Sequence, residues 1–307
     1  MTRQGQKTNG LRHLLTVLTL FGLAAFSAVV HPDTGGHALP LWTLNGASNR
    51  VYLLGSVHML RESDHPLPQG IYDAYDDAEA LIMEMDITAI DPVATQAMIN
   101  ELGMIGDGRN LGDWLGPEDF AEAQRLAERA DVPLSMLARA EPWFAAITID
   151  SLMLMRLGFN PADGVEMRFA DSAAKDGKPI AGLETERQQL EMLDGLSVRA
   201  QRDLLMQTLV ESEDAAQSMN SLVSAWRIGD TAFLEGTLLE EVRSYPEIYQ
   251  TIVVRRNENW LNTIIGLLDD SDDYLVIVGA MHMIGESGVP ELLRAKGYAV
   301  EQLRQVN

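Results

Sequence analysis

The sequence predicts an α/β fold with a mixed, mainly parallel central sheet built from strands at both ends of the chain, around a large helical middle region. Three observations carry this. Short apolar runs of strand character gather near residues 41–85 and again near 274–303. Between them, apolar residues recur at three- and four-residue steps, the spacing of helices with one buried face. One strand-like run, Lys178–Leu183 (KPIAGL), interrupts those helices. Strands at the two ends complete one sheet only if the ends pair in space, which argues for one domain.

Taken in order, the chain opens with Lys7, Arg12 and His13 ahead of an uncharged stretch at 14–30, LLTVLTLFGLAAFSAVV. A charged segment followed by an apolar one is the layout of an export signal. Residues 1–37 are therefore expected to be a signal peptide, or an uncleaved anchor in the inner membrane, since the stretch is nearly long enough to span a bilayer. Residues 38–307 then form the folded domain, in the periplasm or outside the cell.

Leu41–Leu44 and Arg50–Gly55, separated by Asn45-Gly46 and Ser48-Asn49, read as a hairpin. A helix over Gly70–Asp77 and a buried strand over Ala80–Met85 (ALIMEM) follow. Helices are expected at Pro117–Ala130, Glu141–Leu157, Val165–Ala174, Val198–Glu213 and Ala215–Arg227, the first opened by Pro-Glu-Asp as an N-terminal turn should be. A long helix over Pro246–Leu268 leads to the last unit. There the strands Tyr274–Val278 and Tyr298–Leu303 flank a short helix at Val289–Ala295.

Composition removes several function classes. The 307 residues are 46% hydrophobic and 22% charged, an ordinary globular balance. With 23 Lys and Arg against 45 Asp and Glu the formal charge is −22, so a phosphate backbone would be repelled and nucleic acid is not an expected partner. The absence of cysteine removes disulfides, thiolate nucleophiles and Cys-ligated zinc. A metal would have to be held by carboxylates and the six histidines.

Two of those histidines share a context. The run RVYLL leads into Gly55-Ser56-Val57-His58-Met59, and YLVIV leads into Gly279-Ala280-Met281-His282-Met283. Each His stands three residues beyond a Gly, just past an apolar strand, where ligands bind in open α/β sheets. Gly there allows a sharp bend or a close approach to a ligand. His13 and His31 belong to the leader region, and His37 and His65 read as loop residues. Glu84 ends the ALIM run and Glu184 ends the KPIAGL run. Side by side and parallel, the four strands would bring two His and two Glu to one edge, a donor set for zinc, manganese or cobalt. Alternatively, each Glu caps the helix that follows it. Met59, Met83, Met85, Met281 and Met283 flank these positions and read as packing around the site, not as soft-metal ligands.

Arg255-Arg256-Asn257 with Trp260 lies on the helix before the second Gly-x-x-His strand. Arg256 and Asn257 could aim a cation and an amide at a substrate carbonyl as an oxyanion forms, or could be surface polarity. In the first case they serve substrate, and their replacement should leave stability unchanged. No Gly-x-Ser-x-Gly elbow, His-Glu-x-x-His helix, Walker loop or dinucleotide fingerprint is present.

The ordered set YLLGSVHML, ALIMEMD, DGVEMRF at 163–169, GKPIAGLETERQQ at 177–189, RRNENW at 255–260 and YLVIVGAMHM resembles the TraB/GumN family. That family is related to the Tiki Wnt-cleaving proteases and more remotely to erythromycin esterase (EreA) and the haem-binding ChaN-like proteins. The resemblance runs from about Leu41 to Leu303. It implies an EreA/ChaN-like fold and a metal-dependent hydrolytic site, with protease activity in the Tiki branch. The site residues carried over are His58, Glu84 and His282, and beyond them Glu184, Arg256 and Asn257. The expectation is an exported hydrolase acting on a peptide or an ester-containing substrate. His58 and His282 would bind a divalent cation (zinc, manganese or cobalt), with Glu84 as third ligand or general base and Glu184, Arg256 and Asn257 serving catalysis. The alternatives are a metal-free esterase in which a His activates water, and a module that captures haem or metal without turnover.

Overall fold

A computed structural model describes residues 37–212 and 215–305 of the chain. Residues 1–36 of the expected leader (1–37) and the expected helix end at Glu213 lie outside the described residues. Strand β1 (Ala38–Asn45) and strand β2 (Arg50–Ser56) form the expected hairpin, with Asn45 opposite Arg50 and Leu44 opposite Val51. Strands β3 (Ala80–Met83), β4 (Ile180–Gly182), β5 (Tyr274–Gly279) and β6 (Glu301–Arg304) complete a six-stranded sheet in the order β4-β3-β5-β2-β1-β6. The ladders β4-β3, β3-β5 and β5-β2 are parallel, while β1 runs antiparallel to both β2 and β6. The sheet is thus mixed and mainly parallel, and its two neighbours β1 and β6 come from opposite ends of the chain. Gln302 ties them further, its Nε2 donating to the Leu39 carbonyl at 2.8 Å.

The uninterrupted apolarity of β5 has a direct structural counterpart: Leu275 to Val278 are all fully buried because the sheet is covered on both faces. Alternate side chains serve different cores. Leu41, Leu54, Leu81 and Ile277 face the large cluster under the helical middle region. Trp42, Leu53, Ile82 and Val276 face a smaller one, which Trp260, Ile264, Val289 and Leu293 cover. The middle helices fall close to expectation at Pro117–Arg129, Pro142–Arg156, Val165–Asp176, Val198–Glu211 and Ala215–Arg227.

Several boundaries differ from the sequence reading, among them the strand expected at Lys178–Leu183, which is Ile180–Gly182, and three have a local reason. Strand β3 stops at Met83, and backbone donation from Leu183 to Met83 (2.8 Å) and from Glu184 to Glu84 (2.8 Å) carries the pairing on beyond the strand. Tyr298 closes the helix Val289–Ala295 by donating to the Leu293 carbonyl at 3.1 Å, so β6 begins only at Glu301. The expected long helix is broken: Pro246–Tyr249 passes into a widened π-type turn at Gln250–Val254 before Arg255–Leu267. Widened turns of this kind rotate the following residues about the helix axis and often sit beside functional sites. No helix among the described residues is long and apolar enough to cross a membrane.

Candidate functional site

The carboxyl ends of four parallel strands meet at one edge of the sheet. Ser56 lies opposite Gly279 and Met83 opposite Ile277, so the loops after β2, β3 and β5 leave side by side. The two glycines differ in purpose. A Cβ on Gly55 would lie 3.1 Å from the Ala280 backbone, so Gly55 permits close approach of two chain segments. Gly279 has φ −50°, a conformation open to any residue. What its missing side chain leaves is a cradle. A Cβ there would lie 3.3 Å from both Glu84 Oε1 and His58 Nε2, and 3.7 Å from His282 Cδ2.

Around that cradle the polar groups form one network. The Gly279 N–H donates to Glu84 Oε1 at 2.8 Å. Arg256 donates through Nη2 to Glu84 Oε2 at 2.5 Å, through Nε to both Glu184 oxygens at 3.0 and 3.1 Å, and faces His282 Nε2 through Nη1 at 3.1 Å. Trp260 Nε1 donates to Glu184 Oε1 at 2.7 Å, and its ring centroid lies 4.6 Å from that of His282. Neither Glu is a helix cap. Asp86 caps the turn after Glu84, and Thr185 with Gln188 caps the helix Glu186–Asp194.

Each histidine is tied back through Nδ1. His282 Nδ1 is 2.6 Å from Asn257 Oδ1, and Asn257 Nδ2 donates to the Ser287 carbonyl at 2.7 Å, which leaves Oδ1 as acceptor and assigns the His282 proton to Nδ1. His58 Nδ1 pairs with Glu166 Oε1 at 2.8 Å, and the Ser56 hydroxyl donates to the same oxygen. Asn257 is fully buried and touches His282 and backbone, not the pocket; Arg256 is 8% exposed and lines it. The burial of both removes the alternative of surface polarity and corrects the expectation that their replacement leaves stability unchanged.

Glu166, Ser56 and Gln189 are site residues that reasoning from sequence did not single out, and Trp260, noted there beside Arg256 and Asn257, was given no role of its own. Gln189 Nε2 donates to Glu84 Oε2 at 3.2 Å. Glu166 stands in the first turn of the helix Val165–Asp176, where an acidic residue reads as helix-dipole compensation. Its presence in DGVEMRF was the one available signal.

The charges are unevenly distributed. Burial would raise the Glu84 carboxyl, but Arg256 above all, then the histidines and the Gly279 N–H, hold it well below the usual carboxylate range. Burial pushes the His282 imidazole down, and Arg256 adds to this, leaving it at about 3 and hence neutral at physiological pH. Burial would lower His58 too, yet Glu166 outweighs it and the pKa is pushed up to about 9. His58 nevertheless shows 44% of its side chain to the pocket.

As a cation site these donors fit in kind, with His58 able to ligate only after Nε2 gives up its proton. With both Nδ1 atoms held by oxygens, His58 Nε2 turns to the cradle and His282 Nε2 to Arg256, 3.9 Å from Glu84 Oε1, and the use of Nδ1 to fix the ring is common to metal-ligating histidines. The set is not a preformed cage, because Arg256 engages both Glu84 and His282. Among the described residues no group of three or more His, Asp or Glu stands ready for a metal ion.

The order and placement of these motifs decide the family: the sequence model of the TraB/PrgY/gumN family matches residues 40–302. The chain belongs to that family. It is 24% identical over 252 residues to the Escherichia coli protein YbaP, covering 82% of this chain and 90% of that one. It is 24% identical to metalloprotease TIKI2 of Xenopus tropicalis, over 93% of this chain and 65% of that one. Human metalloprotease TIKI1 is 22% identical, over 85% and 61%. The link from this family member to proteases is therefore distant and at the level of the family. No solved structure matches the chain.

Proposed function

We propose that this TraB/PrgY/gumN-family chain is an exported hydrolase of peptide bonds whose centre is His58, Glu84, Arg256 and His282. The convergence of His58 Nε2, Glu84 Oε1 and the His282 ring on the Gly279 cradle carries the reading. His58, Glu84 and His282 would hold a divalent cation, which when bound acidifies a water and polarises a carbonyl. A carboxylate held as low as Glu84 is a poor general base near neutrality, so Glu84 serves as anionic ligand. Arg256, fixed by Glu184, presents a guanidinium where an oxyanion develops. Glu166 holds the Nδ1 proton of His58, and Asn257 that of His282, so both rings keep one orientation.

A second reading has its own support. Arg256 already faces His282 Nε2 and Glu84 where a cation would sit, so the guanidinium could supply the positive charge of a metal-free esterase centre. One set of measurements separates the two. Cleavage of quenched peptides is followed with and without chelator, alongside metal content of untagged wild type and the His58→Ala, His282→Ala double variant. The first reading expects stoichiometric zinc, manganese or cobalt in wild type alone and activity restored by that metal. Chelator-resistant ester cleavage by metal-free protein would replace it with the second. Export rests on the charged and apolar order of the leader. Residues 1–40 fused to a reporter active only outside the cytoplasm should give signal, and a silent, well-expressed fusion would remove that part.

A further inference from the structure

Behind the polar centre lies a cavity of about 330 Å³, and methionine dominates its wall. Met59 follows His58, Met83 and Met85 bracket Glu84, and Met281 precedes His282; all four line this space. Met192 and Met219 close it from the helical region, and Met167 forms a lip that is 39% exposed. Seven of the 15 methionines of the chain thus surround one cavity. Packing filler accounts for Met83 and Met219, which are fully buried, but not for Met167 or for the half-buried Met85 and Met192, which face open space.

We propose that this pocket is the subsite for one apolar side chain of a peptide substrate, of the methionine, leucine and phenylalanine class, beside the bond that the centre cleaves. The proposal rests on the hydrolase reading and names its substrate class. Two physical arguments support it. Thioether side chains are flexible and polarisable, so a methionine wall re-packs around apolar groups of different shape and contacts aromatic edges well. Of the polar side chains in the wall, Arg256 and Glu84 are engaged with each other and His58 Nδ1 with Glu166 Oε1, which leaves His58 Nε2 and Glu166 Oε2 against a lining that is otherwise mostly apolar. A charged side chain seated among the methionines would lose more hydration than those two atoms return, whereas an apolar one loses none it needs. His58, Glu84 and His282 each adjoin a pocket methionine in the chain, so a side chain seated against Met59, Met83, Met85 and Met281 lies beside the Gly279 cradle.

The test uses full-length protein and quenched peptides identical except at one position, which holds Met, Leu, Phe, Ala, Asp or Lys, with cleavage sites located by mass spectrometry. Met, Leu and Phe should agree within about tenfold in kcat/KM. Ala should be at least about tenfold slower, the usual effect of removing methylenes from an apolar pocket, and Asp slower still. In Met167→Glu, a change at the exposed lip, the Met peptide should lose and the Lys peptide gain in kcat/KM. Cleavage that ignores the varied position, or falls at bonds not adjacent to it, overturns the subsite and leaves the hydrolase reading standing. If no peptide is cleaved, the hydrolase reading fails, and calorimetric binding of the same peptides decides the pocket. A Met, Leu and Phe preference over Asp and Lys then supports it; equal or absent binding overturns it.

Discussion

Arg256 does at residue scale what a single hydrogen bond could not. Its guanidinium spends Nε on Glu184, Nη2 on Glu84 and Nη1 toward His282, so one planar fork fixes two carboxylates and a ring. The histidines depend in turn on their Nδ1 partners. Glu166→Gln removes the carboxylate that keeps His58 protonated, so the His58 pKa should fall from about 9 toward its ordinary 6.5. An NMR titration of the ring that still reads near 9 would refute that cause. Asn257→Ala leaves a buried His282 N–H without its acceptor, at a cost of about 1–3 kcal/mol, measurable by chemical denaturation. Gly279→Ala has backbone freedom to fold, because φ there is −50°, but its methyl enters the cradle at 3.3 Å from Glu84 Oε1 and His58 Nε2. It should retain thermal stability and lose turnover and metal uptake; full activity would remove the cradle from the mechanism.

At the scale of elements, the site is held by how helices dock on the strand ends. Trp226, on the helix Ala215–Arg227, donates through Nε1 to the Gly55 carbonyl at 2.6 Å and so clamps the end of β2. The helix Glu186–Asp194 carries Gln189 to Glu84, and its last residue, Asp194, hydrogen-bonds Glu141 at the start of the helix Pro142–Arg156. Burial, then the Asp194 charge, pushes Glu141 up from 4.5 to about 7. The native state therefore holds a proton there that the unfolded chain releases above about 4.5. Its contribution is full below that pH and is lost as pH rises through about 7. Glu141→Gln should flatten the fall in melting temperature between pH 5 and 8, and a fall of unchanged slope would assign it to other groups. Of these helices, Ala215–Arg227 and Pro142–Arg156 were legible in the sequence because apolar periodicity reports a buried face. The break at Gln250–Val254 was not, since a widened turn preserves local composition and is decided by what the flanking segments pack against.

The whole molecule carries a formal charge of −22 on 307 residues, and self-repulsion on that scale opposes compactness. Salt screens it over a Debye length of roughly 10 Å at 0.1 M. The melting temperature should rise between 10 and 200 mM sodium chloride; a fall would mean that ion pairs such as Arg256 with its carboxylates outweigh the net repulsion. The sequence by itself determined the strand-end motifs Gly55-x-x-His58 and Gly279-x-x-His282, the α/β class, and the candidate residues Glu84 and Glu184, because turn chemistry and side-chain periodicity are local. It could also imply that strands from both ends share a sheet. Only the tertiary structure decided that β5 lies between β3 and β2, that Arg256 and Asn257 point inward, and that Glu166 meets His58 across 108 residues (166 − 58). Those facts follow from which surfaces exclude water together, and such contacts between distant segments leave no period in the chain to be read.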